Sequence, residues 1–261
     1  MNLFNKKKSL GQHFLTSNSD INNIIKSCGD LSSKNVLEIG PGNGALTNEL
    51  IKNAKSLFCI EKDNRLKMML NILKSNYSNF NYEITDALTF NPSILQPSPH
   101  ILVSNLPYNV GTQIFLNYLF FSINQPNTFE FFILMFQKEV ALRIASKPTD
   151  SNYGRLSIIA YLFADIEILF DVDKLSFSPP PKVQSSVLKV LPLKKPRYEV
   201  NIKKLEKLTN LAFLSRRKTL KNNLKSLNID YEKLHINPQK RPQDLSCEDF
   251  CKIANQLPEE F

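Results

Sequence analysis

Short strand-like segments alternate with helical patterns through the first 137 residues, and this alternation constrains the fold more than any other feature. The segments lie at 36–39, 57–60, 81–85, 100–104 and 129–136. Between the second and the third, residues 66–73 carry apolar side chains at helical spacing. Strands separated by helices indicate parallel βαβ units, so the sequence predicts an α/β fold with a doubly wound, mostly parallel sheet.

The composition changes after residue 193. A lysine pair between two prolines follows and indicates a linker. Beyond it, residues 202–234 are basic and have a helical pattern, and 245–257 carry another such pattern. We therefore predict a Rossmann-like domain at 1–193 and a small all-α domain at 194–261.

The net charge of +9 is concentrated in one region of the chain. Residues 181–240 hold 15 Lys or Arg and 4 Asp or Glu, a net of +11, which leaves −2 for all other residues. A solvated helical face with paired charges is the alternative, but four acids are too few to pair most of these bases. The sequence therefore favours a polyanionic partner, of which nucleic acid is the commonest kind.

Other classes of protein are disfavoured by what the sequence lacks. The longest apolar run, 129–136, is far shorter than the roughly 20 residues of a membrane span. The basic N-terminus has no apolar core after its lysines, so we expect no secretory signal and a cytoplasmic protein. The four cysteines are scattered, which predicts reduced thiols and no metal site.

A glycine-rich loop joins the first predicted strand to the following helix. Gly40, Gly42 and Gly44 allow close approach of the backbone to a ligand, and a helix N-terminus favours anionic groups. With Ala45, and with Glu61 about 20 residues on, the loop also satisfies the dinucleotide fingerprint. A nicotinamide or flavin enzyme, and a tight turn without a ligand, are therefore alternatives.

Two further acids favour a different cofactor. Glu38 lies inside the first strand, where a carboxylate suits a ligand with a positively charged amino acid moiety. Asp86 follows the third strand and could accept a hydrogen bond from an adenine amine, while Glu61 could bind both ribose hydroxyls. Because the carboxyl ends of these strands meet at one crevice, the set predicts S-adenosylmethionine.

The sequence Asn-Leu-Pro-Tyr ends the fourth predicted strand. An exocyclic amine on adenine is a poor nucleophile, and two acceptors placed on its hydrogens would localise its lone pair. The Asn105 side-chain oxygen and the Leu106 carbonyl could be those acceptors, because Pro107 stiffens the turn between them and Tyr108. With Tyr108 stacked on the base, methyl transfer requires mainly positioning and electrostatics.

Seven stretches, which together extend over nearly the whole chain, resemble in order the motifs of the ribosomal RNA adenine N6,N6-dimethyltransferases. They are 8-KSLGQHFL-15, 37-LEIGPGNGALT-47, 104-SNLPYNVGT-112, 137-QKEVALRI-144, 153-YGRLSI-158, 177-FSPPPKVQSSV-187 and 216-RRKTLKNNL-224. The resemblance implies a Rossmann-like class I S-adenosylmethionine-dependent methyltransferase, in which residues 1–20 fold over the cofactor.

The resemblance also implies roles for individual residues. Together with the acids and glycines above, the implied and predicted cofactor contacts are His13, Leu15, Glu38, Gly40, Gly42, Glu61, Asp86 and Asn105. Phe177 is expected to stack on the second face of the target adenine, opposite Tyr108. The basic C-terminal helix is expected to bind RNA phosphates through Arg216, Arg217, Lys218 and Lys221.

The sequence departs from the family pattern in two places. Val110, Gly111 and Gln113 stand where many relatives have Ile, Ser and Pro, and His13 stands where relatives have Asn or His. Neither difference touches the proposed acceptors, but the first concerns the loop that grips the base.

The choice of RNA follows from two motif details. Leu106 and 216-RRKTL-220 are more typical of the family's small-subunit enzymes than of its large-subunit enzymes. The implied substrate is two adjacent adenosines, each methylated twice, in a hairpin loop near the 3′ end of 16S ribosomal RNA. The expected protein is a monomer that acts on the immature small ribosomal subunit. The alternatives are a large-subunit enzyme that confers antibiotic resistance and an RNA-binding assembly factor with secondary methyl transfer.

Overall fold

The computed structural model describes residues 13–259 and 261, and these form two compact units. The first, called the sheet unit here, contains residues 13–141 and 165–194. The second, called the helical unit, contains residues 142–164 and the described residues from 195 onward. The segment 142–164 thus groups with the helical unit, although the boundary predicted at 194 assigns it to the first domain.

The bounds of the elements agree with the main periodicities of the sequence. The strands are β1 (Phe14–Leu15), β2 (Asn35–Ile39), β3 (Ser56–Glu61), β4 (Phe80–Ile84), β5 (His100–Asn105), β6 (Phe129–Gln137), β7 (Ala164–Val172), β8 (Phe177–Ser178) and β9 (Ser185–Pro192). The helices are α1 (Asn18–Ser27), α2 (Thr47–Asn53), α3 (Lys67–Asn76), α4 (Gly111–Asn124), α5 (Lys138–Ala145), α6 (Arg155–Phe163), α7 (Ile202–Ala212), α8 (Leu220–Asn223) and α9 (Cys247–Gln256). All five predicted strands of the first half are present as β2 to β6.

Seven strands form one sheet in the order β4-β3-β2-β5-β6-β9-β7. β2 pairs in parallel with β3 on one edge and with β5 on the other, and β5 pairs in parallel with β6. β9 runs antiparallel to β6. The predicted doubly wound, mostly parallel sheet is therefore confirmed, and its order reverses at β2, where such sheets open a ligand crevice.

Side chains that alternate along each strand form the core of the sheet unit on the two faces of the sheet. Val36, Ile101 and Ile133 lie on one face and belong to a buried cluster that also contains residues of α1, α2 and α3. On β6, Phe136 instead meets Phe115 of α4 edge to face, with ring centroids 5.8 Å apart. Each fully buried side chain of this kind contributes about 1.5–3 kcal/mol.

A separate two-stranded sheet joins the start of the described chain to a distant loop. β1 and β8 are antiparallel, with Leu15 opposite Phe177. The amide of Thr16 adds a hydrogen bond of 2.8 Å to the Ser176 carbonyl. The segment at 13–16 is thereby fastened to the sheet unit. Residues 1–12 of the predicted N-terminal segment lie outside the described part of the chain.

The helical unit has its own core, formed around α6, α7 and α9. The apolar segment 156–163 is α6, and its Ile158 carbonyl accepts a hydrogen bond of 3.6 Å from the Cys247 thiol of α9. α9 begins with a capping box, because Ser246 Oγ accepts from the Asp249 amide and Asp249 Oδ2 accepts from the Ser246 amide. α6 therefore finds its partners among the C-terminal helices, and this explains why 142–164 belongs to this unit.

The helical pattern at 202–234 corresponds to two separate helices and several turns. α7 ends at Ala212, and after it only Leu220–Asn223 is α-helical before residue 234. Thr219 caps this short helix by accepting from the Asn222 amide, and the Leu220 amide donates to the Lys240 carbonyl at 2.7 Å. Backbone groups here find partners far along the chain, so the helical pattern is overridden by tertiary contacts.

Within the described residues, the helices are all too short or too polar to cross a membrane.

Candidate active site and basic surface

One cavity of the sheet unit lies at the carboxyl ends of β2, β3 and β5. Its walls come from the segment 13–15, the loop after β2, the end of β3 and the turn after β5. The lining residues are His13, Phe14, Leu15, Glu38, Gly40, Pro41, Gly42, Asn43, Ala45, Leu46, Glu61, Lys62, Asn105, Leu106, Pro107, Tyr108, Asn109 and Val110. The fold thus brings together nine of the predicted site residues from distant parts of the sequence.

The glycine loop is held close to its neighbours. The Gly40 amide donates to the Ile60 carbonyl at 2.8 Å, and the Gly42 amide donates to Glu61 Oε2 at 3.3 Å. Gly42 has a φ of +55°, and a Cβ there would lie 3.0 Å from the Phe14 ring. Both the backbone conformation and the available space therefore require glycine at this position.

Glu61, the last residue of β3, is a buried carboxylate with a fixed orientation. Its Oε1 accepts from the Asp63 amide at 2.7 Å, while Oε2 accepts from the Gly42 amide. Burial raises the pKa of Glu61, and these amide hydrogen bonds partly oppose the rise. The side chain is therefore anchored at the cavity wall, where it can accept hydrogen bonds from ligand hydroxyls.

Glu38 is a second buried carboxylate, inside β2. It is only 2% exposed, and burial raises its pKa to about 7. Its Oε2 accepts a hydrogen bond of 3.3 Å from the Cys59 thiol, which is a weak donor. A positively charged ligand group in the cavity would stabilise the ionised carboxylate, so this part of the site fits the ammonium group of S-adenosylmethionine.

Asp86 does not line the cavity. Its Oδ2 accepts a hydrogen bond of 2.6 Å from Lys62 Nζ, and its Oδ1 accepts from the Leu88 amide at 3.0 Å. The hydrogen bond from Lys62 is the main cause of the lowered pKa of Asp86. Lys62, rather than Asp86, therefore reaches the cavity wall. The predicted contact of Asp86 with an adenine amine stays a prediction.

The turn after β5 presents Asn105 and Leu106. Asn105 Nδ2 donates to the His13 carbonyl at 3.1 Å, which fixes the orientation of the side-chain amide. The Pro107 carbonyl accepts from the Val110 and Gly111 amides at 3.2 and 2.7 Å, and these bonds close the turn. A Cβ at Gly111 would lie 3.1 Å from Leu106 Cβ, so the glycine that departs from the family pattern allows α4 to begin close to the turn.

The ring of Tyr108 is held at its outer end and covered on one face. Its hydroxyl lies 2.7 Å from Ser185 Oγ of β9. The His13 ring stacks on Tyr108 with centroids 5.3 Å apart and an interplanar angle of 26°, and His13 Nδ1 is 2.8 Å from the Pro179 carbonyl. Burial raises the pKa of Tyr108. The ring is therefore neutral and able to stack with a planar group.

Phe177 is not placed where the sequence-based hypothesis requires it. The side chain is only 3% exposed and belongs to the buried cluster of the sheet unit, together with Leu15 and Val187. It lies opposite Leu15 in the β1–β8 pair. In this arrangement Phe177 is a core residue. To stack on a base, it would first have to lose the cover of β1.

The four predicted RNA-binding residues form an exposed basic surface on the helical unit, but the predicted basic helix is wrong. Arg216, Arg217 and Lys218 lie in the turn before Thr219, and only Lys221 lies on α8. Arg216 Nη2 also donates to the Ser151 carbonyl at 2.8 Å. Asn223 Nδ2, by donating to the Ser215 carbonyl at 2.9 Å, helps to hold the turn.

Not every base of the charged region is free to bind phosphate. Lys204 is 4% exposed, and its Nζ donates to the Leu257 carbonyl and to Glu259 Oε1, both at 3.0 Å. This lysine therefore stabilises the end of the chain rather than contributing to a basic surface.

Sequence reasoning missed two polar residues of the sheet unit. Ser185 bonds Tyr108, and Lys62 lies between the cavity and Asp86. The position of Lys62 directly after Glu61 was a usable signal, whereas a serine inside a strand has no local signature. Among the described residues, no cluster of three or more His, Cys, Asp or Glu side chains could hold a metal ion.

Comparisons with known proteins agree with this geometry. A family model described as "Ribosomal RNA adenine dimethylase" matches residues 3–259. A protein of Wolbachia pipientis subsp. Culex pipiens (strain wPip), named ribosomal RNA small subunit methyltransferase A, is 41% identical over 261 residues. The match covers 98% of this chain and 97% of that relative.

Solved structures are similar over most of the chain. A dimethyladenosine transferase from Plasmodium falciparum matches with a TM-score of 0.74 and 28% identity, over 92% of this chain and 96% of that one. The 23S rRNA methyltransferase ErmE matches with a TM-score of 0.68 and 23% identity, over 94% of this chain and 99% of that one. The second likeness supports the fold alone.

We predict that Glu38→Gln removes a pH dependence from the stability of the protein. The folded-state pKa of about 7 exceeds the unfolded value of about 4.3, so the folded protein holds this proton more tightly. Ionisation of Glu38 therefore lowers the free energy of unfolding as pH rises between those values, with no further loss above them. At about 1.4 kcal/mol per pKa unit, the gain in stability from glutamine should be larger at about pH 8 than at about pH 4, by up to about 4 kcal/mol. Urea unfolding without cofactor measures the change.

The matched control is Glu83→Gln, which changes an exposed carboxylate on β4. Because this side chain is exposed, its replacement should change the free energy of unfolding by less than about 0.5 kcal/mol. If Glu38→Gln left the pH dependence of stability unchanged, burial would not be perturbing that carboxylate.

We predict that Phe177→Ala is strongly destabilising because the ring belongs to the core. The expected loss in the free energy of unfolding is about 3–5 kcal/mol. Leu175→Ala, two residues earlier at a side chain that is 76% exposed, should cost less than about 0.5 kcal/mol. Chemical denaturation measures both values. A small loss for Phe177→Ala would indicate that its ring is exposed in solution and available for stacking.

Proposed function

Because the chain belongs to the ribosomal RNA adenine dimethylase family, we propose that the cavity of the sheet unit methylates N6 of two adjacent adenosines in small-subunit ribosomal RNA. The family, the enzyme class and the S-adenosylmethionine cofactor predicted from the sequence are confirmed by this membership. Ribosomal RNA is the substrate class of the enzyme.

Two observations support the small subunit over the large one. The relative from Wolbachia, at 41% identity, is named for the small subunit. Leu106 and the stretch 216–220 carry the variants that are more typical of small-subunit enzymes. The likeness to the 23S enzyme, at 23% identity, carries no argument about substrate. The target adenosines near the 3′ end, action on the immature subunit, the monomeric state and the cytoplasmic location remain predictions.

The orientation of the Asn105 amide is the observation that carries the proposed chemistry. Since Nδ2 donates to the His13 carbonyl, Oδ1 is the atom on the opposite side of the amide. Leu106 follows in a turn that Pro107 stiffens and that two amide hydrogen bonds close. The Asn105 oxygen and the Leu106 carbonyl can then accept the two hydrogens of the target amine. This arrangement localises the nitrogen lone pair, so that the nitrogen becomes nucleophilic.

The other residues of the site bind and orient. When bound, S-adenosylmethionine supplies an electrophilic methyl group on a positively charged sulfur. Glu38 would face the positive part of the ligand, Glu61 would accept from ribose hydroxyls, and the glycine loop would let the backbone approach the ligand. The methyl group would pass from the bound cofactor to the amine nitrogen, with S-adenosylhomocysteine as the leaving group, and the proton of the methylated amine would pass to water. The amine becomes acidic only as its new bond forms, so no strong general base is required.

Tyr108 is the stacking surface for the target base. His13 covers one face of its ring, so the base must either replace the imidazole or use the opposite face. A loop base can be splayed out of single-stranded RNA at low cost, which suits a pocket built around one ring. Phe177 becomes a second stacking surface only if β1 leaves it.

The proposed function is tested with small ribosomal subunits from cells that lack this protein. The wild-type enzyme should transfer label from S-adenosylmethionine to adenosines of their RNA, and mapping of the modified nucleotides should give an adjacent pair near the 3′ end. Asn105→Ala should lower the single-turnover rate by about 10²–10³-fold, because one preorganised electrostatic contact is lost. RNA binding should change little, since the basic surface belongs to the helical unit.

The control variant is Asn76→Ala, which removes an exposed amide from the end of α3 and should keep the wild-type rate. Cofactor affinity is measured in both variants, because Asn105 also holds the His13 carbonyl. A near wild-type rate for Asn105→Ala would refute the acceptor role. Stoichiometric binding of the wild type without label in adenosine would favour an assembly factor, and label in large-subunit RNA would favour a resistance enzyme.

The basic surface is tested by the salt dependence of RNA binding. Replacing Arg216, Arg217, Lys218 and Lys221 by glutamine should weaken binding and flatten the slope of log K against log salt by up to about 3, at roughly 0.7–0.9 per phosphate contact. Arg216 is expected to contribute least, because it also bonds the Ser151 carbonyl. Filter binding across a salt series measures the slope.

A charge-matched variant replaces four exposed lysines of the sheet unit, Lys26, Lys55, Lys67 and Lys74, by glutamine. It removes the same net charge from the protein and should leave most of the slope. Equal slopes for the two variants would show that net charge, rather than this surface, governs binding.

A further inference from the structure

We propose that Ser185 is a positioning residue for methyl transfer, which acts by fixing the plane of the Tyr108 ring against which the target base stacks. This inference rests on the proposed function, in which Tyr108 is the stacking surface. Ser185 does not itself line the cavity, whereas Tyr108 does, so its effect passes through the tyrosine.

The hydrogen bond between the two hydroxyls joins a turn to a rigid strand. Tyr108 lies in the turn after β5, whereas Ser185 is the first residue of β9 and is 0% exposed. Ser185 is opposite Gln137 in the antiparallel pair of β9 with β6. The 2.7 Å contact therefore ties the end of the tyrosine ring to the seven-stranded sheet.

Anchoring at both ends removes the freedom that a tyrosine in a turn would otherwise have. The ring is held through Cβ by the backbone of the turn and through Oη by Ser185. Without the second anchor, rotation about the first side-chain torsion would swing the ring away from the cavity. A stacking surface that moves by about 1 Å misplaces the attacking nitrogen, and such displacements can cost up to about 10²-fold in rate.

The His13 ring shows that the anchored ring accepts a planar partner. The imidazole stacks on Tyr108 at 5.3 Å with an angle of 26°. Asn105, which binds the His13 carbonyl through Nδ2, lies in the same cavity. The imidazole, a planar group stacked on Tyr108, is thus held beside Asn105, the proposed acceptor of the target amine. This holds for either face of the tyrosine ring that the base uses.

The alternative role for Ser185 is structural, since a buried phenol needs a hydrogen-bond partner. The neighbouring Ser186 separates the two roles. It is also buried, at 1% exposure, but its Oγ donates to Asp171 Oδ1 at 2.6 Å and has no part in the Tyr108 contact. Ser185→Ala and Ser186→Ala therefore remove comparable buried hydroxyls from the same strand, and only the first releases the ring.

The experiment is a double-mutant cycle on single-turnover methyl transfer to undermethylated small subunits. Ser185→Ala and Tyr108→Phe should each lower the rate about tenfold while changing RNA affinity less than about twofold. The double variant should be no slower than the slower single variant, because both substitutions remove the same hydrogen bond. Ser185→Thr, which keeps a hydroxyl, should restore the rate to within about threefold, and Ser186→Ala should stay within about twofold of wild type.

Three results would overturn the inference while the wild type remains active. They are a wild-type rate for Ser185→Ala, multiplicative losses in the double variant, and an equal loss for Ser186→Ala. Melting temperatures of all variants identify losses that come from unfolding, and a loss that follows melting temperature alone also refutes positioning. If the wild type transferred no methyl group, the proposed function itself would fail, and the two failures are thereby distinguished.

Discussion

The parallel pairing of β2 with a strand on each of its edges is the constraint on which the active site depends. The chain leaves β2 toward β3 on one side and later returns to β5 on the other, so a crevice opens at their carboxyl ends. Ser104 Oγ donates to the Ile39 carbonyl at 2.6 Å and fastens the ends of β5 and β2 together. Glu61 and Asn105 are each the last residue of a strand, so the sheet itself places them.

The two units differ in their electrostatics. The cavity holds two buried carboxylates, and burial raises the pKa of both Glu38 and Glu61. Perturbed acids of this kind are common at functional sites, where a ligand charge compensates for the cost of their burial. The exposed bases at 216–218 lie on the helical unit instead, where they are suited to RNA phosphates. A basic chain can therefore bind a positively charged cofactor.

The structure differs from the sequence-based expectations where a side chain has two possible environments. Phe177 was expected to stack on the target adenine, but it pairs with Leu15 of β1 and its ring joins the core. Asp86 was expected at the cofactor, but Lys62 holds it. The sequence after Ala212 has helical periodicity, yet backbone amides of this segment form hydrogen bonds with carbonyls far along the chain, and much of the segment consists of turns. In each case the deciding contact joins residues that no local pattern connects.

The sequence by itself determined the strands β2 to β6, the glycine loop and the acids at the strand ends. These features are local, because periodicity, glycine conformation and strand termini are encoded in neighbouring residues. Only the tertiary structure decided which groups meet across the cavity. Asn105 bonds a residue 92 positions away, and Tyr108 bonds one 77 positions away. Such contacts arise from the order and register of the strands, which depend on packing of the whole sheet rather than on any single segment.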